Sequence, residues 1–239
     1  MKCVYHYGRI YLINWDFGLQ NTYQNFSITS QVGKLLEKIM RSKMLAHLME
    51  NEMLSKHQHG FCYKRSCMTN LIETLDYITD LNDLGVPIDE VFLDFSKAFD
   101  KVSHKHLIYK LYHMGIEGNV LRWLSNFLMG RMQRVNVNGT KSSWTSVTSG
   151  VPQGSVIGPL LFVIFINDLP EHIRTHCKLF ADDSKIFGKV ETEEDQIKVQ
   201  ADLNACHDWA MKWDMYFHPK KCKVMHIGKN NRRDISSWE

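Results

Sequence analysis

The 239-residue chain contains no apolar run near the ~20 residues needed to cross a bilayer. Its longest run, Leu160–Ile166, reads as a buried helix. The start of the chain lacks a secretory pattern: Arg9 interrupts the short apolar stretch, and no small-residue cleavage site follows. None of the six cysteines (Cys3, Cys62, Cys67, Cys177, Cys206, Cys222) forms a CxxC pair, which argues against a zinc site. Without a secretory signal the thiols are expected to be free and the protein intracellular, not secreted. Internal repeats and low-complexity stretches are lacking. Net charge is small, 29 Lys and Arg against 26 Asp and Glu, or +3. Together these absences argue against a membrane protein, a disulfide scaffold and a fibre.

What is present is a core. Apolar residues make up 44% of the chain, too many for a disordered polymer and enough for one large domain or two small ones. Charge is unevenly placed. Glu191, Glu193, Glu194, Asp195, Asp202, Asp208 and Asp214 face only Lys198 and Lys212. The end reverses this, with Lys220, Lys221, Lys223, Lys229, Arg232 and Arg233 against Asp234 and Glu239. A basic end can hold phosphates, and it can equally be a solvated tail.

Helical and strand periods alternate. Val32, Leu35, Leu36, Ile39, Met40, Leu45, Leu48 and Met49 recur at helical spacing, so 31–52 is expected to be an amphipathic helix. Leu71, Ile72, Leu75 and Ile78 mark a second helix, stopped near Gly85 and Pro87. Val91-Phe92-Leu93-Asp94-Phe95 reads as a buried strand. Two helices follow, around Leu107–Leu111 and Val120–Leu128, before Gly130. Val135 and Val137 lead into Asn138-Gly139, a hairpin turn signal. Ser149–Pro159, rich in Gly and Pro, is a loop feeding an apolar helix over 160–168. Lys178-Leu179-Phe180 and Ser184-Lys185-Ile186-Phe187 flank Ala181-Asp182-Asp183 as two strands flank a tight turn. Thr192 opens an acidic helix with Asp195 as its capping partner, and 220–227 suits a last strand.

The chemistry sits in the acids. Asp94 lies in an apolar strand, where a carboxylate is costly unless paired or metal-bound. Asp182-Asp183 sits at a hairpin tip in similar surroundings. Adjacent carboxylates repel, and hard divalent cations relieve that repulsion. Acids from two neighbouring strand ends could hold two ions ~3.5–4 Å apart, an arrangement that serves phosphoryl transfer. Each motif alone is better read structurally, Asp182-Asp183 as a turn pair and Asp94 as a strand-edge acid.

Taken together the motifs are specific. Phe92-Leu93-Asp94-Phe95-Ser96-Lys97-Ala98-Phe99-Asp100, then Ser149-Gly150-Val151-Pro152-Gln153-Gly154-Ser155, then Phe180-Ala181-Asp182-Asp183, resemble reverse transcriptases in content and order. The resemblance is closest to jockey-like non-long-terminal-repeat retrotransposons and runs from about residue 23 to 228. It implies an α+β fold: a right-hand polymerase palm, a ferredoxin-like sheet backed by helices, with partial fingers. It divides the chain into an unassigned segment 1–22, partial fingers 23–88, a palm 89–228 with inserted fingers elements, and a basic tail 229–239. A thumb is expected beyond this length and an endonuclease upstream.

The resemblance also implies roles. Asp94, Asp182, Asp183 and the carbonyl of Phe95 would hold two Mg²⁺ ions, with Mn²⁺ as a substitute. Phe99 would exclude the 2′-hydroxyl of ribonucleotides. Gln153 and Gly154 would pack near the incoming nucleotide, with Lys64 and Arg65 as further nucleotide contacts. Lys221, in Phe217-His218-Pro219-Lys220-Lys221, would protonate or neutralise leaving pyrophosphate, although the family usually has Asn where His218 stands. Partners would be an RNA template, a DNA primer and dNTPs, with no membrane; oligomeric state is open. An active protein would work in the nucleus or a cytoplasmic ribonucleoprotein.

Departures from the pattern open an alternative. Tyr23-Gln24-Asn25-Phe26-Ser27-Ile28 resembles a Tyr-Arg-Pro-Ile-Ser-Leu motif whose Arg-Pro is replaced. Leu54–Phe61 resembles a fingers motif, yet Cys62 and Tyr63 stand where basic residues usually follow Gly-Phe. One reading is therefore an RNA-directed DNA polymerase domain, and the other a truncated, catalytically inactive retrotransposon remnant. Telomerase-type and intron-maturase polymerases fit the motif contexts less well.

Overall fold

The computed structural model describes residues 2–6, 9–13, 25–28, 30–134, 136–137 and 140–231. In chain order the strands are β1 (Lys2–His6), β2 (Arg9–Ile13), β3 (Asn25–Ile28), β4 (Ile88–Asp94), β5 (Met132–Gln133), β6 (Asn136–Val137), β7 (Thr140–Lys141), β8 (Thr145–Ser146), β9 (His176–Phe180), β10 (Asp183–Lys189) and β11 (Lys223–Ile227). The helices are α1 (Gln31–Glu50), α2 (Cys67–Asp83), α3 (Ala98–Lys101), α4 (His104–His113), α5 (Gly118–Leu128), α6 (Gly158–Ile166) and α7 (Glu193–Lys212). They divide between two compact units, one drawn from Met1–Met53 and Phe99–Phe165, the other from Leu54–Ala98 and Ile166–Glu239.

In the first unit β1, β2 and β3 form an antiparallel sheet in that order, with Leu12 opposite Phe26. Ser30 caps α1 by accepting the Gly33 N–H at 3.0 Å. The helix stands where its apolar spacing puts it, but its inward face differs from that spacing. Met44 and Leu48 are buried, whereas Val32 is 81% exposed and Leu35 and Ile39 are also outside. Glu37 is buried instead, accepting the Val156 and Ile157 N–H groups at 2.6 and 3.3 Å at the entry to α6. A carboxylate there meets unpaired N–H groups and the positive end of a helix, which offsets its desolvation. α6 is apolar all round, and Leu160–Phe165 are buried throughout, as such a helix requires. Leu107 and Leu111 of α4 and Leu124, Phe127 and Leu128 of α5 complete the core. The Asn138-Gly139 turn lies outside the described residues, but the strands on either side of it, β6 and β7, pair antiparallel.

The second unit is built on a four-stranded sheet ordered β11-β4-β10-β9, every pair antiparallel. Counted along the chain, its strands stand in the order fourth, first, third, second, which is the ferredoxin-like arrangement. α7 packs on β10, and α2 on β9 and β4. Thr192 and Asp195 form a reciprocal capping box on α7, whose Val199, Leu203, Cys206 and Trp209 turn inward. α2 presents Asn70, Thr74 and Ile78 inward and leaves Leu71, Ile72 and Leu75 exposed. The polar inner face is satisfied locally: Asn70 Nδ2 donates to the Leu179 carbonyl at 3.2 Å and Thr74 Oγ1 to that of Asn70 at 2.8 Å. β4 also carries buried acids. Asp89 meets His226 Nδ1 at 2.8 Å, and Glu90 meets Lys185 Nζ at 3.1 Å. No described helix is long and apolar enough to cross a membrane.

Candidate active site

The second unit assembles the acids from two strand ends and a turn. In the β9–β10 hairpin Phe180 stands opposite Asp183, so Ala181 and Asp182 form a two-residue loop. Such loops need positive φ to match the twist of the strands, and Ala181 adopts φ +55°. On the other side of β10, Asp183 stands opposite Asp94, the last residue of β4. Directly opposed antiparallel residues lie ~4.5–5.5 Å apart at Cα, so two carboxylates leave neighbouring points of the sheet. Asp182 lies next to them in the turn. Burial, opposed by its own backbone N–H, raises the Asp182 carboxyl above its ordinary range. The Asp183 and Asp94 charges raise it further, and Lys221 offsets part of the shift.

Lys221 is delivered by the segment before β11. Phe217 stacks on Phe95 with ring centres 4.4 Å apart, and the Ser96 N–H donates to the Tyr216 carbonyl at 2.7 Å. The His218 N–H donates to the Asp94 carbonyl at 2.7 Å, and the Lys221 N–H to the His218 carbonyl at 2.9 Å. This run brings Lys221 Nζ to 3.2 Å from Asp94 Oδ1. The pair is well exposed, so it adds at most ~1 kcal/mol of stability. Its importance is local charge. Among the described residues no three His, Cys, Asp or Glu side chains gather closely enough to hold a metal ion. The donor set nevertheless fits a hard cation: the candidate donors are oxygens, and Asp182 is a half-buried acid beside two others.

The remaining nucleotide candidates of this unit lie near the start of α2. Lys64 is exposed at φ +57°, its ammonium 5.5 Å from the Tyr63 ring. Arg65 turns back on its own loop, where Nη1 donates to the Ser55 and Gln58 carbonyls at 2.8 and 2.7 Å. Cys62 is half-buried, and burial pushes its thiol up. Gln24 lies outside the described residues.

The first unit holds Phe99, Gln153 and Gly154. Phe99 is half-buried, its ring stacked on fully buried Phe162 with centres 4.5 Å apart and planes 19° from parallel. The loop after β8 is tied to the same stretch. Val151 N–H donates to the Phe99 carbonyl and Gly150 N–H to that of Val102, each at 2.8 Å, and Ser149 Oγ donates to the Asp100 carbonyl at 2.8 Å. Gly150 has φ +91°, and a Cβ there would lie 2.8 Å from the Asp100 carbonyl oxygen, so glycine is required twice over. Gln153 Nε2 reaches Asp100 Oδ1 at 3.4 Å, while Gly154 is exposed. Asp100, Arg131 and Gln153 line a cavity of about 170 Å³. Arg131 is buried and donates to the Leu128 and Gly150 carbonyls at 2.8 and 2.5 Å. It follows a helix end with no sequence signal of this role, whereas Asp100 closes the Asp94 motif and could have been singled out there.

The reverse transcriptase (RNA-dependent DNA polymerase) family profile matches residues 18–236. The RNA-directed DNA polymerase from the mobile element jockey of Drosophila funebris is 28% identical over 214 residues, covering 84% of this chain and 23% of the relative. The probable RNA-directed DNA polymerase from the transposon X-element of Drosophila melanogaster is 25% identical over 206 residues, with the same 84% and 23% coverage. The chain thus spans about a quarter of the length of these curated relatives. Among solved structures, telomerase from Candida tropicalis in complex with a fragment of telomeric RNA matches at TM-score 0.65 and 10% identity, covering 95% of this chain and 42% of that one. Telomerase from Candida albicans, in a similar complex, matches at 0.61 and 13%, covering 86% and 34%. These likenesses speak to the fold and agree with the palm topology of the second unit. The profile extends over most of the chain and includes all three acids, so the chain belongs to the reverse transcriptase family, among relatives from jockey-like non-long-terminal-repeat retrotransposons.

Proposed function

We propose that this chain is the polymerase core of an RNA-directed DNA polymerase, extending a DNA primer with dNTPs on an RNA template. The observation that carries this reading is the register of β4 and β10, which sets Asp94 opposite Asp183 with Asp182 in the adjoining turn. Divalent cations, when bound there, would lower the pKa of the attacking hydroxyl and neutralise charge on the phosphates. Asp94, Asp182 and Asp183 would supply the anionic oxygens that hold them, with the Phe95 carbonyl as a further donor. Lys221 already faces Asp94, and it would shift its ammonium onto the leaving pyrophosphate, neutralising it or giving it a proton. Phe99, braced flat on Phe162, would present a rigid ring edge to the sugar and leave no room for a 2′-hydroxyl. Gln153 and Gly154 would contact the nucleotide from the loop after β8, and Lys64 would offer its charge to phosphates.

Purified protein with an RNA template, a DNA primer, dNTPs and Mg²⁺ should extend the primer, and Asp182→Asn should not. Equal extension by both would reject the site. A second reading, an inactive retrotransposon remnant, is favoured by Cys62 and by the engagement of Arg65 with two carbonyls, which leave the loop before α2 poor in free cations. In that case the parent chain would be inert, and Cys62→Arg, which returns a cation to that loop, would restore part of the extension.

A further inference from the structure

The segment 57–60 carries no carboxylate, hydroxyl or thiol, yet it is among the most enclosed parts of the second unit. Gln58 is fully buried and His59 nearly so. The segment runs parallel to the edge strand β9. His59 N–H donates to the Leu179 carbonyl at 2.8 Å and Leu179 N–H to the His57 carbonyl at 2.9 Å, while His57 Nδ1 lies 3.1 Å from the Cys177 carbonyl. It thus closes the open edge of the sheet beside the acidic turn. Three further contacts converge there. Gln58 Oε1 accepts the Ala181 N–H at 3.0 Å and the Gly60 N–H at 2.7 Å. Both partners are backbone donors, so it is the amide oxygen that must face them. Gly60 lies so close that a Cβ on it would stand 2.4 Å from Ala181 N. Arg65 in turn holds the Gln58 carbonyl at 2.7 Å.

We propose that Gln58 is a positioning residue for the catalytic turn: its side-chain oxygen fixes the backbone of Ala181 and so the direction in which Asp182 leaves the hairpin. The inference rests on the polymerase reading for its purpose, but its physical content is independent of it. Ala181 is an L residue held in a left-handed conformation that ordinarily costs ~1–2 kcal/mol. A free two-residue turn would relax between alternatives, and each alternative would aim the Asp182 carboxylate differently. A hydrogen bond to the first turn residue, made from a buried and itself braced acceptor, selects one of them. Gln58 touches neither substrate nor the reacting atoms in this role; it acts through Ala181.

The test reads metal binding, not polymerisation. Mn²⁺ alone is titrated into the purified full chain and free ion is counted by electron paramagnetic resonance. Gln58→Met keeps the volume and removes the acceptor, and it should weaken Mn²⁺ at least ~10-fold, or ~1.4 kcal/mol. Asp202→Asn loosens the far end of β9, where Asp202 accepts the Arg174 and Thr175 N–H groups at 3.0 and 2.8 Å. It should lower Tm without changing Mn²⁺ affinity, which separates positioning from general destabilisation. Should Gln58→Met fold poorly, Gln58→Met with Ala181→Gly relieves the left-handed strain; its Tm should recover while its Mn²⁺ affinity stays low. Asp182→Asn must itself lose Mn²⁺ affinity, and its failure to do so would overturn the metal-site reading. Loss in Asp182→Asn with parent-like binding in Gln58→Met, or recovery of binding in the double variant, would overturn the positioning role alone.

Discussion

Gly60→Ala turns the close approach of segment 57–60 and the acidic hairpin into a number. The new Cβ would sit 2.4 Å from Ala181 N and 3.0 Å from Phe180 C, where ordinary contact begins near 3.4 Å. Both neighbours are backbone, so neither can swing aside, and the two segments must part by about 1 Å. That displacement stretches the Ala181–Gln58 and His59–Leu179 hydrogen bonds, now 3.0 and 2.8 Å, past useful length. Losing each costs ~1 kcal/mol net, and the buried donors left unpaired cost more, so a total of ~3 kcal/mol is expected. Replacing glycine also stiffens the unfolded chain, worth only ~0.4–1 kcal/mol in the opposite direction. Urea unfolding at neutral pH should therefore show a lower midpoint with an unchanged slope, equivalent to a loss of ~2–3 kcal/mol, a large share of the ~5–15 kcal/mol typical of a domain. Mn²⁺ affinity should fall with it. A loss under ~1 kcal/mol with parent-like metal binding would refute the reasoning, because it would mean that the two segments separate without consequence.

Other outcomes follow from the same geometry. In metal-free buffer Asp182→Asn should stabilise the protein, and its advantage should grow as pH rises. The folded carboxyl is raised above its ordinary 3.8, so the stability tied to its proton is full below that value and lost as pH climbs through the folded pKa; urea melts across that range check the sign. Phe99→Val should admit ribonucleotides at least ~10-fold more readily relative to dNTPs, and should lose ~0.5–1.5 kcal/mol of stacking on Phe162 in thermal melts. Lys221→Ala should leave the unfolding free energy within ~1 kcal/mol of the parent, as befits an exposed pair, while cutting primer extension much more strongly. Alkylation of the native protein near pH 8 should label exposed Cys67 and spare Cys177, whose thiol burial pushes up to about 12, and Cys206, which burial also raises; early labelling of Cys177 by peptide mapping would contradict its packing.

The elements were legible where period and punctuation agree. Thr192 and Asp195 announced α7, Gly130 stood just past the end of α5, and the runs around Ala181-Asp182-Asp183 became β9 and β10. The acids were legible because a carboxylate in an apolar strand needs a reason. What spacing cannot tell is which face of a helix turns inward. α1 and α2 formed as their apolar periods required, yet Glu37, Asn70 and Thr74 face in while Val32, Leu35, Leu71 and Leu75 face out. Those polar residues are buried because particular backbone groups meet them, and backbone groups carry no letter in a sequence. The role of Gln58 was illegible for the same reason: both partners of its side-chain oxygen are main-chain N–H groups, one of them far along the chain.

The chain passes from the second unit to the first between Ala98 and Phe99, five residues after Asp94. The acids, Lys221 and the Gln58 brace belong to the second unit; the Phe99–Phe162 stack and the Gln153–Asp100 contact belong to the first. If each unit holds its own side chains through its own hydrogen bonds and ring contacts, defects in one should not spread to the other's property. Substitutions at Gln58, Gly60 or Asp182 should change Mn²⁺ affinity and leave sugar discrimination in any residual synthesis intact. Substitutions at Phe99 or Phe162 should change discrimination and leave Mn²⁺ affinity within ~2-fold of the parent. Additivity is the quantitative form of the claim. A Gln58→Met, Phe99→Val double variant should show the two single effects with a coupling of no more than ~0.5 kcal/mol. A larger coupling would mean that the short span from Asp94 to Phe99 transmits strain, and that metal holding and sugar reading are one property of this chain and not two.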